Sequence, residues 1–87
     1  MKRSDEEIAQ AAVKAIQWDS IIPSDKVKVI VEHGSITLIG EVEYNYQREK
    51  AYMDMKYLYG VKNVINNIII KPMINIISTY LSQFNNI

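Results

Sequence analysis

Two runs of residues that alternate with a period of two flank the dipeptide His33-Gly34, and together they predict a β-hairpin. Residues 27–31 and 36–42 both place aliphatic side chains or glycine at every second position, which is the period of a strand with one buried face. A two-residue loop pairs every valine of the first run with an apolar or small residue, whereas a shift by one residue breaks the whole set. The predicted pairs are Val27 with Gly40, Val29 with Leu38, Val31 with Ile36 and Glu32 with Ser35.

His33 and Gly34 are interpreted as structural turn residues. Both loop positions of such a hairpin need a positive φ, which glycine adopts freely and histidine tolerates better than most other residues. A hairpin tip would offer the imidazole neither the burial nor the fixed partner that a catalytic histidine needs. The only histidine of the chain therefore indicates a turn rather than a catalytic base.

A first helix is predicted from Ser4 onward. Ser4 and Glu7 have the spacing of a capping box, in which each side chain accepts a hydrogen bond from the other residue's backbone amide. Trp18 follows the helix, and we expect it to cover the edge of the core rather than to contact a ligand. Small and aliphatic residues recur behind the cap at helical spacing, and they are Ile8, Ala11, Ala12, Ala15 and Ile16.

A second helix and a third strand complete the pattern. Asn45 is expected to cap a helix that runs to about Leu58, and Gly60 suits the stop that follows. Residues 64–70 then alternate as a strand. A right-handed crossover makes this strand parallel to the second one. The predicted fold is α+β in the order αββαβ, a mixed three-stranded sheet with both helices on one face.

Composition excludes several classes of function. The ten basic and ten acidic side chains cancel, whereas a protein that binds nucleic acid needs a basic face. There is no cysteine, which excludes disulfides and zinc sites built from thiolates. The charged first residues do not have the pattern of a signal peptide, and no apolar run is long enough to span a membrane.

The sequence shows no arrangement of residues that is typical of an enzyme active site. A nucleophilic triad needs a base, and the only histidine is assigned to the turn. Glu41 and Glu43 project from the same side of one strand, a spacing that could hold a metal or share a proton. We favour a solvated strand end, because Lys26 lies opposite Glu41 in the predicted register. We therefore expect no catalytic residue, no cofactor and no small-molecule substrate.

The chain from Ser4 to Pro72 resembles the BON domain, which is named for bacterial osmotically inducible protein Y and nodulation proteins. The resemblance rests on the acidic helix start, the aliphatic first strand, the segment "SITLIGEV" and the later segment "GVKNVINNI". "AIQWD" and "VEYNYQRE" look most similar to proteins that string several BON units together. The resemblance implies an αββαβ fold and a non-catalytic module, with Asn66 in a structural role.

The same resemblance implies where such a module acts. Members of the family are described as binding phospholipid surfaces or other components of the bacterial envelope, in an osmotic-stress context. A periplasmic location follows from the resemblance. The lack of a signal-peptide pattern leaves the cytoplasm as the alternative.

Two binding hypotheses remain open, and both use one stripe of the second helix. The stripe consists of Tyr46, Lys50, Met53 and Tyr57. Tyrosine and lysine suit a phospholipid surface, because each has an apolar body and a polar tip. Glu49 and Asp54 flank the stripe and would weaken its attraction to anionic lipid. The alternative is that the stripe binds another protein or a neighbouring repeat.

Residues 1–72 form the predicted BON domain, and residues 73–87 form a separate amphipathic tail without charge. Its apolar side chains recur at helical spacing, and they are Met73, Ile76, Ile77, Tyr80, Leu81 and Phe84. The sheet face opposite the helices would carry four isoleucines, namely Ile30, Ile39, Ile65 and Ile69. We expect residues 74–85 to form a third helix over that face, within one chain or exchanged in a homodimer. The alternative is that the tail begins a following BON unit.

Overall fold

The computed structural model describes residues 3–71 of the chain. Its elements follow in the order helix, strand, strand, helix, strand. Their bounds are α1 Asp5–Trp18, β1 Val27–Glu32, β2 Ser35–Val42, α2 Asn45–Lys56 and β3 Asn63–Ile70, with a single 3-10 turn at Ser24–Lys26 before β1. The predicted helix in the tail and the predicted boundary after residue 72 lie outside the described residues.

The three strands form one mixed sheet in the order β1-β2-β3. β1 and β2 are antiparallel, and β2 and β3 are parallel. All four predicted pairs occur in the hairpin, namely Val27 with Gly40, Val29 with Leu38, Val31 with Ile36 and Glu32 with Ser35. The predicted α+β fold with a mixed three-stranded sheet is therefore confirmed.

The core lies between the two helices and one face of the sheet. α1 contributes Ile8, Ala12 and Ile16, which recur every four residues and therefore share one side of the helix. α2 contributes Ala51 and Met55. The largest buried side chains come from both helices and the central strand, and they are Ile8, Ile36, Leu38, Val42 and Met55.

The start of α1 is fixed by the predicted capping box. The Ser4 hydroxyl accepts a 3.1 Å hydrogen bond from the backbone amide of Glu7, and the Glu7 carboxylate accepts one of 3.1 Å from the amide of Ser4. Hydrogen bonding of the Glu7 carboxylate with the Ser4 backbone amide, and then with the Ser4 side chain, stabilises the ionised acid and lowers the pKa of Glu7. Two amide donors at the exposed helix end are satisfied in this way.

The ends of α2 differ from the sequence prediction. Asn45 is the first helical residue rather than the cap, because Gln47 performs the capping instead. Its Oε1 accepts hydrogen bonds of 3.2 and 3.1 Å from the backbone amides of Glu43 and Tyr44. The helix ends at Lys56, earlier than predicted.

Arg48 joins α2 to the free edge of β3. Its guanidinium donates hydrogen bonds to the carbonyls of Ile68, at 3.0 Å, and Asn66, at 3.1 Å. The Asn66 side chain donates in return to the Arg48 carbonyl at 3.1 Å. An unpaired strand edge invites pairing with another chain, and these bonds occupy two of its acceptors.

Candidate functional site

The predicted stripe of α2 lies on the side of the helix that faces away from the core. Tyr46, Met53 and Tyr57 are exposed, and Lys50 is half-buried. Tyr57 directly follows the last helical residue. Three large apolar or amphipathic side chains are thus in contact with solvent on one helix, beyond what the core requires.

Trp18 does not cover the core, and that prediction is wrong. The side chain is 86% exposed. In a helix a residue two positions after Ile16 points about 200° away from it, so the core side of α1 is out of reach. Trp18 instead lines one shallow surface groove with Lys50, Met53 and Tyr57. We call this feature the aromatic groove and define it by these four residues.

Tyr46 lies outside the aromatic groove. Its ring stacks on that of Tyr44, with 5.3 Å between the ring centroids and an angle of 13° between the planes. Both rings are exposed at the start of α2. The structure therefore brings three of the four predicted residues together with Trp18 and places the fourth in a separate aromatic pair.

Lys50 is held between two acids, Asp19 and Asp54, which also line the aromatic groove. Its Nζ donates a 2.8 Å hydrogen bond to Asp19 Oδ2 and one of 2.9 Å to Asp54 Oδ1. The hydrogen bonds with Asp19 and then Asp54 raise the pKa of Lys50 to about 12. The ammonium group is therefore always charged at physiological pH, and its charge is balanced within the protein.

The two acids of this cluster differ in their proton affinity. Hydrogen bonding with Asp54, and then with Lys50, lowers the pKa of Asp19 to about 2. Burial, and then the neighbouring Asp19, raises the pKa of Asp54. Asp54 Oδ2 is buried without a hydrogen-bond partner among the described residues. A proton on that oxygen would supply the donor for a hydrogen bond to Asp19.

The predicted turn residues lie at one end of the molecule. His33, Gly34 and Gly60 have φ values of 52°, 79° and 90°. Gly34 accepts a 2.8 Å hydrogen bond at its carbonyl from the amide of Lys62, just before β3. Gly60 lies in the turn between α2 and β3, where a β-carbon would come within 2.8 Å of Arg3 Cβ. These residues shape the backbone, and they line a surface pocket that also contains Arg3, Asp5 and Lys62.

Asp5 is a further residue of this end that the sequence analysis did not identify. Its carboxylate accepts hydrogen bonds from the backbone amides of His33 and Gly34. The bonds from Gly34 and then His33 lower the pKa of Asp5. In the sequence Asp5 looks like any acid in the first turn of a helix, so no local pattern signals this contact.

The remaining acids of the strand ends do not converge. Glu41 forms its ion pair with Lys71, at 3.3 Å between Oε1 and Nζ, and both side chains are largely exposed. Within residues 3–71 no group of three or more metal-ligating side chains is close enough to hold an ion. Neither described helix has the length and apolar character needed to cross a membrane.

Comparison with known proteins identifies a family. The family model for the BON domain matches residues 4–72, which is most of the chain. No curated protein matches the sequence. The matched range covers every described helix and strand, including the aromatic groove and both turns.

Proposed function

The chain belongs to the BON domain family, and from this membership we propose that it is a non-catalytic module that associates with phospholipid membrane surfaces. The proposed contact is the aromatic groove. The family resemblance implies a bacterial envelope under osmotic stress, and we propose this setting for the association.

The exposed Trp18 beside Tyr57 is the observation that carries the proposal. Their side chains are 86% and 73% exposed, although both are large aromatic residues. Tryptophan and tyrosine favour the interface between lipid and water, where the ring contacts acyl chains and the polar atom stays hydrated. Met53, which lines the same groove, adds a flexible apolar side chain that adapts to an irregular surface.

The ion cluster of Asp19, Lys50 and Asp54, which lines the groove, indicates what kind of lipid surface is favoured. Attraction to anionic lipid depends on basic side chains whose charge acts on the headgroups. Lys50 is the base among the four groove residues, and its charge is balanced by Asp19 and Asp54. We therefore propose association through aromatic and apolar contact, with little dependence on anionic headgroups.

The second candidate function is binding of another protein, and the Tyr44–Tyr46 stack favours it. Exposed aromatic pairs act as anchors in protein interfaces because they bury a large area at a small entropic cost. This pair lies apart from the aromatic groove. A module that joins repeated units or a protein partner would use such a surface.

The fluorescence of Trp18 tests the first proposal, because it is the only tryptophan of the chain. Transfer of its indole from water into a bilayer interface shifts the emission to shorter wavelength. We expect this shift when phosphatidylcholine vesicles are added to dilute protein. Unchanged emission with vesicles in excess would contradict lipid binding through the groove. A shift that follows protein concentration instead of lipid would favour the second candidate.

A further inference from the structure

The sheet has a second face, on the side away from α1 and α2, and this outer face is apolar at its centre. Ile30, Ile65 and Ile69 are 49%, 45% and 56% exposed. Ile30 and Ile65 flank Thr37 in one row across the three strands, and Ile39 lies two residues further along β2. Three exposed isoleucines on one small sheet exceed what isolated surface residues explain.

Polar residues surround this apolar centre. Lys28 and Asn67 lie on either side of Ile39, and Glu32 and Asn63 end the neighbouring row. Glu41 pairs with Lys71 beside Ile69. An apolar centre with a polar rim is the arrangement of a contact surface. Within residues 3–71 both helices pack on the opposite side, so the occupant must come from elsewhere.

We propose that residues 73–87 of the same chain cover the outer face, with residues 74–85 forming a helix. All ten basic and all ten acidic side chains precede residue 72, so the tail is uncharged. Its apolar residues recur at helical spacing, and an uncharged amphipathic helix of this length is marginal in water unless it packs on a surface. The outer face is the apolar surface of the sheet that residues 3–71 leave uncovered.

The exit of the chain from β3 suits this packing. The Lys71 amide still donates a 2.8 Å hydrogen bond to the Val42 carbonyl. Pro72 has no amide hydrogen and therefore cannot continue the ladder. Connections of a few residues are common between a strand and the helix that packs back on its sheet. The described chain thus ends at Lys71, two residues after Ile69, which lies at one end of the apolar centre.

The dimensions agree as well. A helix of twelve residues is about 18 Å long, and a strand of the length of β2 spans roughly 26 Å. If the helix runs back antiparallel to β3, Gln83 lies about 13 Å from Ile74, which is close to the spacing of Ile69 and Ile65 along a strand. Gln83 then lies above the row of Ile30, Thr37 and Ile65.

Covering within one chain is favoured over exchange between two chains. The tail is joined directly to the strand that it would cover, and a short connection gives a high effective concentration of the tail at its own sheet. Exchange would need two chains to meet and both connections to open. We therefore assign the tail to its own outer face.

A spin label tests this assignment in the full chain. The protein has no cysteine, so Gln83→Cys gives a single labelling position at the border between the apolar and polar sides of the proposed helix. We expect the label to broaden the amide NMR signals of Ile30, Thr37 and Ile65 and to leave those of α1 unchanged. Unaffected strand signals would overturn the proposal.

A mixed sample tests whether the contact is within one chain. Protein that carries the spin label but no ¹⁵N is mixed with ¹⁵N protein that carries no spin label. Only contacts between chains can then broaden the observed signals. We expect no broadening in this sample. Broadening of the same strand signals in this mixed sample would overturn covering within one chain and would assign the tail to a second copy.

A matched pair of tail variants tests the helix face. Ile77→Asp places a charge on the apolar side, and Ser78→Asp places the same charge on the polar side. We expect Ile77→Asp to abolish the broadening of the strand signals and to increase binding of a dye for apolar surfaces. Ser78→Asp should leave the broadening of the strand signals and the dye binding the same as without the substitution. Equal effects of the two variants would overturn the assigned face.

Discussion

The carboxylate of Asp5 accepts a 2.8 Å hydrogen bond from the backbone amide of His33, and the two residues are 28 positions apart in sequence. The second oxygen of the same carboxylate accepts a 2.9 Å bond from the amide of Gly34. The first turn of α1 thus fixes the tip of the hairpin. Both amides of a turn with positive φ obtain a partner that the hairpin itself does not provide.

Asp5→Asn should lower the melting temperature, because the amide offers one acceptor where the carboxylate offers two. The carboxyl has a lowered pKa, so its contribution to stability is present above the ordinary pKa and is lost as the pH falls through the lowered value. Glu6→Gln is the matched control in the same helical turn, since it changes the charge near the helix dipole without touching the hairpin. Equal melting temperatures of the two variants at pH 7 would contradict the role of Asp5.

His33→Asn should leave the free energy of unfolding within about 1 kcal/mol of the wild type or raise it slightly, because asparagine accepts positive φ at least as well. Gly34→Val should cost roughly 1–3 kcal/mol or more, since a β-branched residue resists positive φ. A β-carbon there would also come within 3.1 Å of the Lys62 side chain. Urea denaturation measures both values. A larger loss in His33→Asn than in Gly34→Val would mean that the imidazole makes a specific contact.

The sequence predicted the hairpin register fully, because a period of two and a loop of two residues leave a single arrangement that buries every valine. The pattern also places Gly40 opposite Val27. The structure shows why this position requires glycine. A β-carbon on Gly40 would come within 2.0 Å of the Lys26 carbonyl oxygen. Such a close backbone approach depends on the twist of the finished sheet, which no residue pattern records.

The predictions that failed have different physical causes. The position of Trp18 two residues after Ile16 already points away from the core side of α1, so the sequence itself contains the signal for its exposure. The Asp54 contact of Lys50 is also visible in the sequence as an i, i+4 pair. The Asp19 contact is not, because it requires the end of α1 to lie beside α2. The prediction that Asn45 caps α2 failed because the Gln47 side chain accepts the hydrogen bonds at the start of this helix.

Asp19 and Asp54 should respond in opposite directions to neutralisation. The pKa of Asp19 is lowered to about 2, so the folded state favours its charged form. Its contribution is present above the ordinary pKa and is lost as the pH falls through about 2. The pKa of Asp54 is raised, so the folded state favours its neutral form. Asp54 therefore keeps its proton up to a higher pH in the folded state than in the unfolded chain.

We therefore expect Asp19→Asn to lower the melting temperature at pH 7 and Asp54→Asn to preserve or raise it. In the second variant the new side-chain amide can donate a hydrogen bond to Asp19, and the cost of burying the Asp54 charge is removed. Calorimetry of the two variants at pH 7 measures the difference. A lower melting temperature for Asp54→Asn than for Asp19→Asn would contradict the arrangement of the cluster.

Two double variants separate the aromatic groove from the Tyr44–Tyr46 stack in vesicle binding. Trp18→Ser with Tyr57→Ser should weaken cosedimentation with phosphatidylcholine vesicles by about tenfold or more, since burial of one large apolar side chain contributes roughly 1.5–3 kcal/mol. Tyr44→Ser with Tyr46→Ser removes the same number of aromatic rings outside the groove and should bind nearly as well as the wild type. The reverse order of affinities would move the lipid contact to the stack.

The salt dependence of binding provides a separate prediction. Because the charge of Lys50 is balanced by two acids, raising the salt concentration should change vesicle affinity by less than about twofold. Adding anionic lipid to the vesicles should have a similarly small effect. A steep loss of binding in salt, measured by the same cosedimentation assay, would mean that basic residues outside the groove control the association.

Mapping of amide NMR shifts on addition of lipid tests the proposed membrane contact most directly. We expect phospholipid bicelles to shift the signals of Trp18, Asp19, Lys50, Met53 and Tyr57 and to leave the central strand residues Ile36 and Leu38 unchanged, while a rise in protein concentration alone has no effect on these signals. The opposite result would contradict the account: signals of the aromatic groove that ignore lipid but shift as the protein concentration rises would mean that this surface binds protein rather than membrane.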